Sequence, residues 1–129
     1  MPERPEVETV RRMLESTVPG RRVASASVSR KRLRTASLAA LPAKLVRRTF
    51  GTPRRTGKFL LLDLDQGVTL LSHLGMSGRW LYWPAGRASD AALEHVHLKL
   101  AFTDGAALWY QDIRRFGMLR VVRTDRLFK

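Results

Sequence analysis

Short apolar segments separated by turn residues run through this chain from residue 22 onward. Two dense apolar runs, residues 59–64 and 68–74, flank Asp65-Gln66-Gly67, and this combination is typical of a β-hairpin. Residues 95–102 alternate apolar and polar side chains and lead into Asp104-Gly105, a strong hairpin turn. Strands are also predicted within residues 22–34, 79–83, 106–110 and 118–122. Several short strands at regular spacing predict a β-sandwich or a β-barrel.

One helix is predicted before these strands, over residues 3–18. Pro5 suits a first helical turn, because its missing N–H would have no helical partner there. Pro19-Gly20 then ends the helix. An apolar stripe at helical spacing is formed by Val7, Val10, Leu14 and Val18. A second, short helix is predicted over residues 37–45, interrupted by Pro42.

The charge of the chain predicts a polyanionic partner. Lysine and arginine number 24 against 11 acidic residues, a net charge of +13. Residues 1–58 carry +11 of this excess, from 15 basic and 4 acidic side chains. Nucleic acid is the first candidate partner, because each neutralised phosphate releases counterions. An acidic membrane surface is second, but no amphipathic basic helix with Trp or Phe on its apolar face is present. A solvated, arginine-rich surface explains the total about as well as DNA binding does.

Several classes of protein are disfavoured by the sequence. The chain has no cysteine, which excludes disulfides and cysteine-based zinc sites and fits a reducing cytoplasm. No apolar stretch reaches membrane-spanning length, and the N-terminus lacks the apolar core of a signal peptide. His95 and His97 would share one face of a strand. Without cysteine or a nearby carboxylate pair they are interpreted as ordinary strand residues, and no metal site is predicted.

The N-terminus offers an unusual nucleophile. If Met1 is removed, Pro2 carries a free secondary amine, which can attack a sugar C1′ carbon and give an iminium. Glu3 lies beside it in sequence and can act as an acid or a base. A retained Met1 would place the Pro2 nitrogen in an amide and abolish the nucleophile.

Four blocks in a fixed order resemble the formamidopyrimidine-DNA glycosylase family. They are residues 1–12 (MPERPEVETVRR), 54–62 (RRTGKFLLL), 73–78 (HLGMSG) and 112–117 (DIRRFG). The related endonuclease VIII branch shares the Pro-Glu start, but the last two blocks favour the first branch. The resemblance covers nearly the whole chain. It implies a mainly β fold with helices, a two-sheet antiparallel β-sandwich preceded by an N-terminal helix.

The resemblance also implies catalytic roles. Pro2 would displace an oxidised purine and hold the sugar as an iminium, and Glu3 would shuttle protons during ring opening. Lys58 would assist β-elimination and contact a backbone phosphate. A cation near the Pro2 nitrogen would favour the free amine. A solvated charge at a strand end is the other interpretation of Lys58.

A second set of residues is implied to bind DNA. An enzyme that acts on a base in duplex DNA must extrude that base. Met76 and Phe116 would then fill the gap, and Arg114 would pair with the orphaned base. Flanking glycines favour exposed loops for Met76 and Phe116 over core positions. The implied DNA contacts are His73, Met76, Arg114, Phe116, Arg115 and Arg55. Weaker phosphate candidates are Arg30, Lys31, Arg32, Arg34 and Arg54.

The chain departs from the family pattern in length and at single positions. Family members carry a C-terminal domain with a helix–two-turn–helix and a four-cysteine zinc ribbon. Residues 1–129 are therefore expected to form a single N-terminal catalytic domain without a cofactor, zinc being expected only in the missing domain. At single positions, Arg4 replaces an apolar residue, Ile113 a proline, Leu93 a histidine and His97 an acid.

The expected function is a bacterial, cytoplasmic, nucleoid-associated DNA glycosylase and abasic-site lyase of base-excision repair. Its expected partners are damaged double-stranded DNA and the missing C-terminal domain, and no membrane is expected as a partner. An inactive DNA-binding remnant of such an enzyme is the main alternative. A basic module that binds RNA or the ribosome is a third, supported by charge alone.

Overall fold

A computed structural model describes residues 4–33, 37–88 and 92–127, with Arg4 described by its backbone alone. Pro2, Glu3 and Arg34 lie outside the described residues. Within them the chain forms two α-helices and eight strands. In chain order these are α1 (Arg4–Glu15), β1 (Val23–Val28), α2 (Leu41–Leu45), β2 (Arg54–Thr56), β3 (Phe59–Asp63), β4 (Val68–His73), β5 (Gly78–Trp83), β6 (Val96–Phe102), β7 (Ala107–Asp112) and β8 (Met118–Arg123).

The strands form two antiparallel sheets of four. One sheet has the order β1-β6-β7-β5 and the other the order β2-β3-β4-β8. This arrangement confirms the predicted sandwich, and the barrel is not formed. The predicted hairpins β3–β4 and β6–β7 are both present. No helix in the described part of the chain is long and apolar enough to span a membrane.

The core lies between the sheets and extends under α1. Val7, Leu14 and Val18 from the predicted apolar stripe are at most 1% exposed. Alternating strand residues supply much of the remainder, because successive side chains of a strand point to opposite faces, and α2 adds Leu41 and Leu45. The fully buried strand residues include Leu60, Leu62, Leu70, Leu98, Leu100, Leu108 and Tyr110. Burial of this apolar surface is the main force that holds the sandwich together.

Three local predictions are corrected by the structure. Pro42 does not interrupt α2 but lies in its first turn, where a missing N–H is tolerated. His95 precedes β6 and has a φ of +63°, so it does not share a strand face with His97. Helix α1 ends at Glu15, and Val18 reaches the core from the following turn.

The antiparallel pairing brings three glycine-containing segments to one end of the sandwich. Residues 57–58 connect β2 to β3, residues 74–77 connect β4 to β5, and residues 113–117 connect β7 to β8. The register aligns Phe59 with His73 and His73 with Met118, and it aligns Gly78 with Asp112. We call this the glycine-loop end. The opposite end holds residues 65–67 and residues 103–106.

Candidate active site and nucleic-acid interface

Lys58 lies in a two-residue hairpin turn at the glycine-loop end. Strands β2 and β3 pair from Arg54↔Leu61 to Thr56↔Phe59, which leaves only Gly57 and Lys58 between them. Gly57 has a φ of +60°, a conformation that glycine adopts without steric cost. The block of residues 54–62 is therefore a hairpin, and it places the half-buried Lys58 at its tip.

Arg55 fixes the turn that carries Lys58 through hydrogen bonds inside the protein. Its Nε donates to Glu8 Oε1 at 3.0 Å, and its Nη1 donates to the Gly57 carbonyl at 3.0 Å. The residue was predicted to contact DNA, but these two donors are used inside the protein. The guanidinium thereby joins helix α1 to the turn that carries Lys58.

Glu8 is the centre of this connection. Its carboxylate accepts hydrogen bonds from Arg11 at 2.8 and 2.9 Å and from Arg12 at 3.0 Å, in addition to Arg55. The hydrogen bonds from Arg11 lower the pKa of Glu8 to about 2, partly offset by burial and assisted by Arg55 and Arg12. Glu8 is therefore anionic at ordinary pH. Helix α1, which directly follows Pro2 and Glu3 in sequence, is fastened to the Lys58 hairpin.

The loop of residues 74–77 presents an apolar side chain to solvent. Met76 is 51% exposed. His73, at the end of β4, accepts a hydrogen bond at Nδ1 from the Gly75 N–H at 3.0 Å and contacts the Phe59 ring edge-on at 5.0 Å between centroids. Because Nδ1 accepts, the neutral ring carries its proton on Nε2. That N–H is the donor that the predicted phosphate contact would use.

The loop of residues 113–117 is exposed in the same way. Phe116 is 41% exposed, and the Arg114 guanidinium carbon lies 5.0 Å from the centroid of its ring. This cation–π contact holds a planar donor group beside an aromatic face. Met76 and Phe116 thus lie on exposed loops, as their flanking glycines predicted. Ile113, at the start of this loop, is 60% exposed.

The two loops meet backbone to backbone. A Cβ atom on Gly75 would lie 2.6 Å from the Phe116 carbonyl carbon, and one on Gly117 would lie 2.0 Å from the Tyr110 hydroxyl. Both distances are shorter than any real contact of a Cβ atom. The glycines therefore allow the loop of Met76 and the loop of Arg114 and Phe116 to form one surface.

Two buried polar residues beneath these loops were not assigned a role from the sequence. Asp112 is fully buried at the end of β7. His97, predicted to be an ordinary strand residue, is 2% exposed. Its Nε2 donates to the Asp112 carbonyl at 2.8 Å, and its Nδ1 lies 2.9 Å from Ser29 Oγ. A signal was available, since a histidine at a core-facing strand position needs a polar partner.

The surface around the loops is basic. Arg115 Nη1 donates to the Arg32 carbonyl at 3.4 Å, so the segment after β1, with exposed Arg30 and Lys31, adjoins the loop of residues 113–117. Of the acids near these loops, Glu8 is matched by arginines and Asp112 is buried, while Glu94 is exposed. The described residues contain no group of three or more His, Asp or Glu side chains that could hold a metal ion.

Comparison with known proteins identifies the class of this fold and site. Residues 1–119 match the model for the formamidopyrimidine-DNA glycosylase N-terminal domain. The chain therefore belongs to the formamidopyrimidine-DNA glycosylase family.

Individual relatives support the same conclusion. The formamidopyrimidine-DNA glycosylase of Bartonella quintana (strain Toulouse) is 40% identical over 138 residues, which cover all of this chain and 47% of the relative. That of Cereibacter sphaeroides (strain ATCC 17025) is 42% identical over 135 residues, 97% of this chain and 46% of the relative. The chain thus spans about half the length of the relatives that it matches.

Solved structures of the Lactococcus lactis enzyme superpose closely on this fold. Its non-covalent complex with DNA containing an abasic site has a TM-score of 0.85 and 34% identity, covering 98% of this chain and 47% of that chain. Its complex with DNA containing an oxidised pyrimidine has a TM-score of 0.85 and 35% identity, covering 98% of this chain and 46% of that chain.

Proposed function

We propose that this chain is the N-terminal catalytic domain of a base-excision-repair DNA glycosylase and abasic-site lyase. The observation that supports this most directly is the glycine-loop end itself. An exposed methionine, arginine and phenylalanine lie there on two loops in backbone contact, beside the turn that carries Lys58. The substrate that fits these groups is duplex DNA containing an oxidised purine.

The proposed reaction begins at Pro2 after removal of Met1. The Pro2 nitrogen attacks the sugar C1′ carbon, and the damaged base leaves with the electron pair of the N-glycosidic bond. Loss of the remaining N–H proton and opening of the sugar ring give an iminium, with Glu3 delivering a proton to the ring oxygen. Lys58 assists removal of the proton from C2′, which expels the 3′ phosphate. The ion-pair network of Glu8 and Arg55 fastens α1 to the Lys58 turn and so supports this arrangement.

Base extrusion is assigned to the two loops. Extruding a base leaves a gap and costs a few kcal/mol. Met76 and Phe116 provide apolar surfaces to stack in the gap, and Arg114 provides a fork of donors for the orphaned base. Arg115, His73 and the basic segment of residues 30–32 are proposed to contact phosphates. Arg55 is proposed to position the turn that carries Lys58. The guanidinium N–H groups that it does not use within the protein are proposed to contact DNA.

The rest of the protein is proposed by analogy with the longer relatives. A further C-terminal domain would complete the DNA cleft and would hold the family's zinc. This chain has no cysteine, so a four-cysteine zinc ribbon would belong to that further domain. We propose that the protein acts in the bacterial cytoplasm, at the nucleoid.

Borohydride trapping tests the chemistry. The chain is incubated with a duplex carrying one abasic site, reduced, and analysed for a covalent adduct, while intact mass reports whether Met1 is removed. The expected result is an adduct with Met-free protein. A chain whose Pro2 nitrogen is blocked by a retained Met1 should give no adduct, whereas Pro5→Ala, which leaves the N-terminal amine free, should retain it. An adduct that survives blocking of the Pro2 nitrogen would refute the Pro2 assignment.

The same assay distinguishes the proposed enzyme from the main alternative. An inactive DNA-binding remnant would bind duplex DNA in a salt-sensitive way and give no adduct. A retained Met1 would favour that result, because the Pro2 nitrogen would be an amide.

A further inference from the structure

The carboxyl group of Asp112 accepts four hydrogen bonds in a fully buried position. Oδ1 accepts from Ser77 Oγ at 2.6 Å and from the Arg115 N–H at 3.0 Å. Oδ2 accepts from the Gly117 N–H at 2.8 Å and from the Tyr110 hydroxyl at 3.1 Å. Four donors on two oxygens match the capacity of a carboxylate, which can only accept. A buried charge needs such compensation.

Three of these donors come from the two loops of the glycine-loop end, and the fourth, Tyr110, comes from β7. Ser77 follows Met76 by one residue, while Arg115 and Gly117 flank Phe116. Ser77 Oγ also accepts from the Arg114 N–H at 2.9 Å. A single carboxylate therefore fixes the backbone on both sides of Phe116 and connects it to the loop of Met76.

Buried neighbours hold Asp112 in place. Burial, together with the charge of Asp112, raises the pKa of Tyr110, so its hydroxyl keeps the proton that it donates. On the other side, His97 Nε2 donates to the Asp112 main-chain carbonyl. None of these groups has a part in the chemistry proposed above.

We propose that Asp112 is a positioning residue that locks the Met76 loop and the Arg114–Phe116 loop into one preformed wedge. This inference rests on the proposed function, since the wedge acts on duplex DNA. Preformed loops pay little ordering entropy at the moment of binding. The three side chains then enter the base stack together, in the geometry set by the Asp112 hydrogen bonds.

Asp112→Asn is the decisive change. The amide has nearly the shape of the carboxylate, but one oxygen becomes an NH₂ donor. In either orientation this NH₂ faces a backbone N–H, that of Arg115 or that of Gly117. One loop hydrogen bond must therefore be lost, and a buried donor is left without its acceptor.

Two measurements on the full chain report the effect. In hydrogen–deuterium exchange, Asp112→Asn should speed exchange at residues 113–117 and 75–78 and leave the rest unchanged. In borohydride trapping, we compare the adduct rate on a duplex abasic site with the rate on the same strand alone, where no base stack must be entered. The duplex-to-single-strand ratio should fall by about tenfold, the scale of one lost hydrogen bond to a charged acceptor.

Asp63→Asn is the matched control. Asp63 also accepts side-chain hydrogen bonds, from Arg54 and Thr69, but it lies at the other end of β3. Its substitution should leave both the loop exchange and the ratio at wild-type values. If Asp112→Asn fails to fold, Ser77→Ala replaces it, because it removes the connection between the loops and retains the carboxylate.

The outcomes separate the inference from the proposed function. Unchanged loop exchange and an unchanged ratio would refute the positioning role. A uniform loss on duplex and single strand, with faster exchange throughout the chain, would also refute it and indicate general destabilisation. If the wild-type chain gives no adduct on either substrate, the proposed function fails, and loop exchange alone still decides whether Asp112 orders the loops.

Discussion

At the scale of single residues, Gly75 shows how one hydrogen atom in place of a side chain shapes the site. Its φ is +62°, and its α-carbon faces the main chain of Phe116 and Gly117 so closely that a Cβ atom has no room. This position therefore requires glycine for two reasons: its left-handed backbone conformation and the lack of space for a Cβ atom. Only the first reason applies at Gly67, since its φ is +76° and no atom lies within 4 Å of a Cβ placed on it.

This difference makes the two glycines a matched pair of substitutions. Gly67→Ala should cost about 1 kcal/mol of unfolding free energy, because it forces a non-glycine residue into the left-handed region. Gly75→Ala should cost about 1–3 kcal/mol more, because its methyl group must push two backbones apart. Urea unfolding followed by circular dichroism measures both. Equal losses would mean that the loops separate without cost, in conflict with a preformed wedge.

At the scale of secondary-structure elements, the contact between α1 and the β2–β3 hairpin depends on one acid and three bases. The Glu8 carboxylate forms ion pairs with Arg11 and Arg12 from its own helix and with Arg55 from the hairpin. Only the bond to Arg55 crosses between elements. The pKa of Glu8 is lowered from 4.5 to about 2. The folded state therefore favours the charged carboxylate. At any pH where Glu8 of the unfolded chain carries a proton, folding releases that proton.

The stability contributed by Glu8 should therefore depend on pH in one direction. A lowered pKa gives a contribution that is complete above about pH 4.5 and is lost as the pH falls toward 2. Wild type should exceed Glu8→Gln in melting temperature at pH 7, and the two should converge by about pH 2. Glu15→Gln, which removes only a single ion pair to Arg11, should change little at either pH. A constant gap between wild type and Glu8→Gln would exclude the ionised carboxylate as its cause.

Most of these elements could be predicted from the sequence, because their signals are local. The β3–β4 hairpin follows from two apolar runs around a turn, and α1 from its apolar stripe. Strand β2 was not separated from β3, since the turn between them is only Gly57-Lys58. Two partners, Ser77 for Asp112 and Ser29 for His97, could not be predicted from local signals, because they lie on other elements. Asp112 meets Ser77 across 35 residues, and His97 meets Ser29 across 68.

At the scale of the whole molecule, an antiparallel sandwich brings together blocks that are far apart in the sequence. No pattern in the sequence indicates these long-range contacts. The connections β2–β3, β4–β5 and β7–β8 lie at the same end, so the blocks near residues 58, 76 and 116 become neighbours. The net charge of +13 does not by itself distinguish this end from the other. Exposed Arg22 and Arg47 lie beside the start of β1, whereas exposed Arg30 and Lys31 follow its end. Strand β1 thus separates two basic clusters by about 20 Å.

The location of the DNA-binding surface can therefore be tested with two variants that have the same net charge as each other. Arg30→Ala with Lys31→Ala and Arg22→Ala with Arg47→Ala each remove two positive charges. If DNA lies across the glycine-loop end, only the first pair should reduce the slope of log affinity against log salt, by about 1 to 2. Fluorescence anisotropy with an abasic duplex at several salt concentrations measures both slopes. Equal reductions would show that the whole surface attracts DNA without a preferred face, which is the behaviour of a basic protein that lacks a defined wedge.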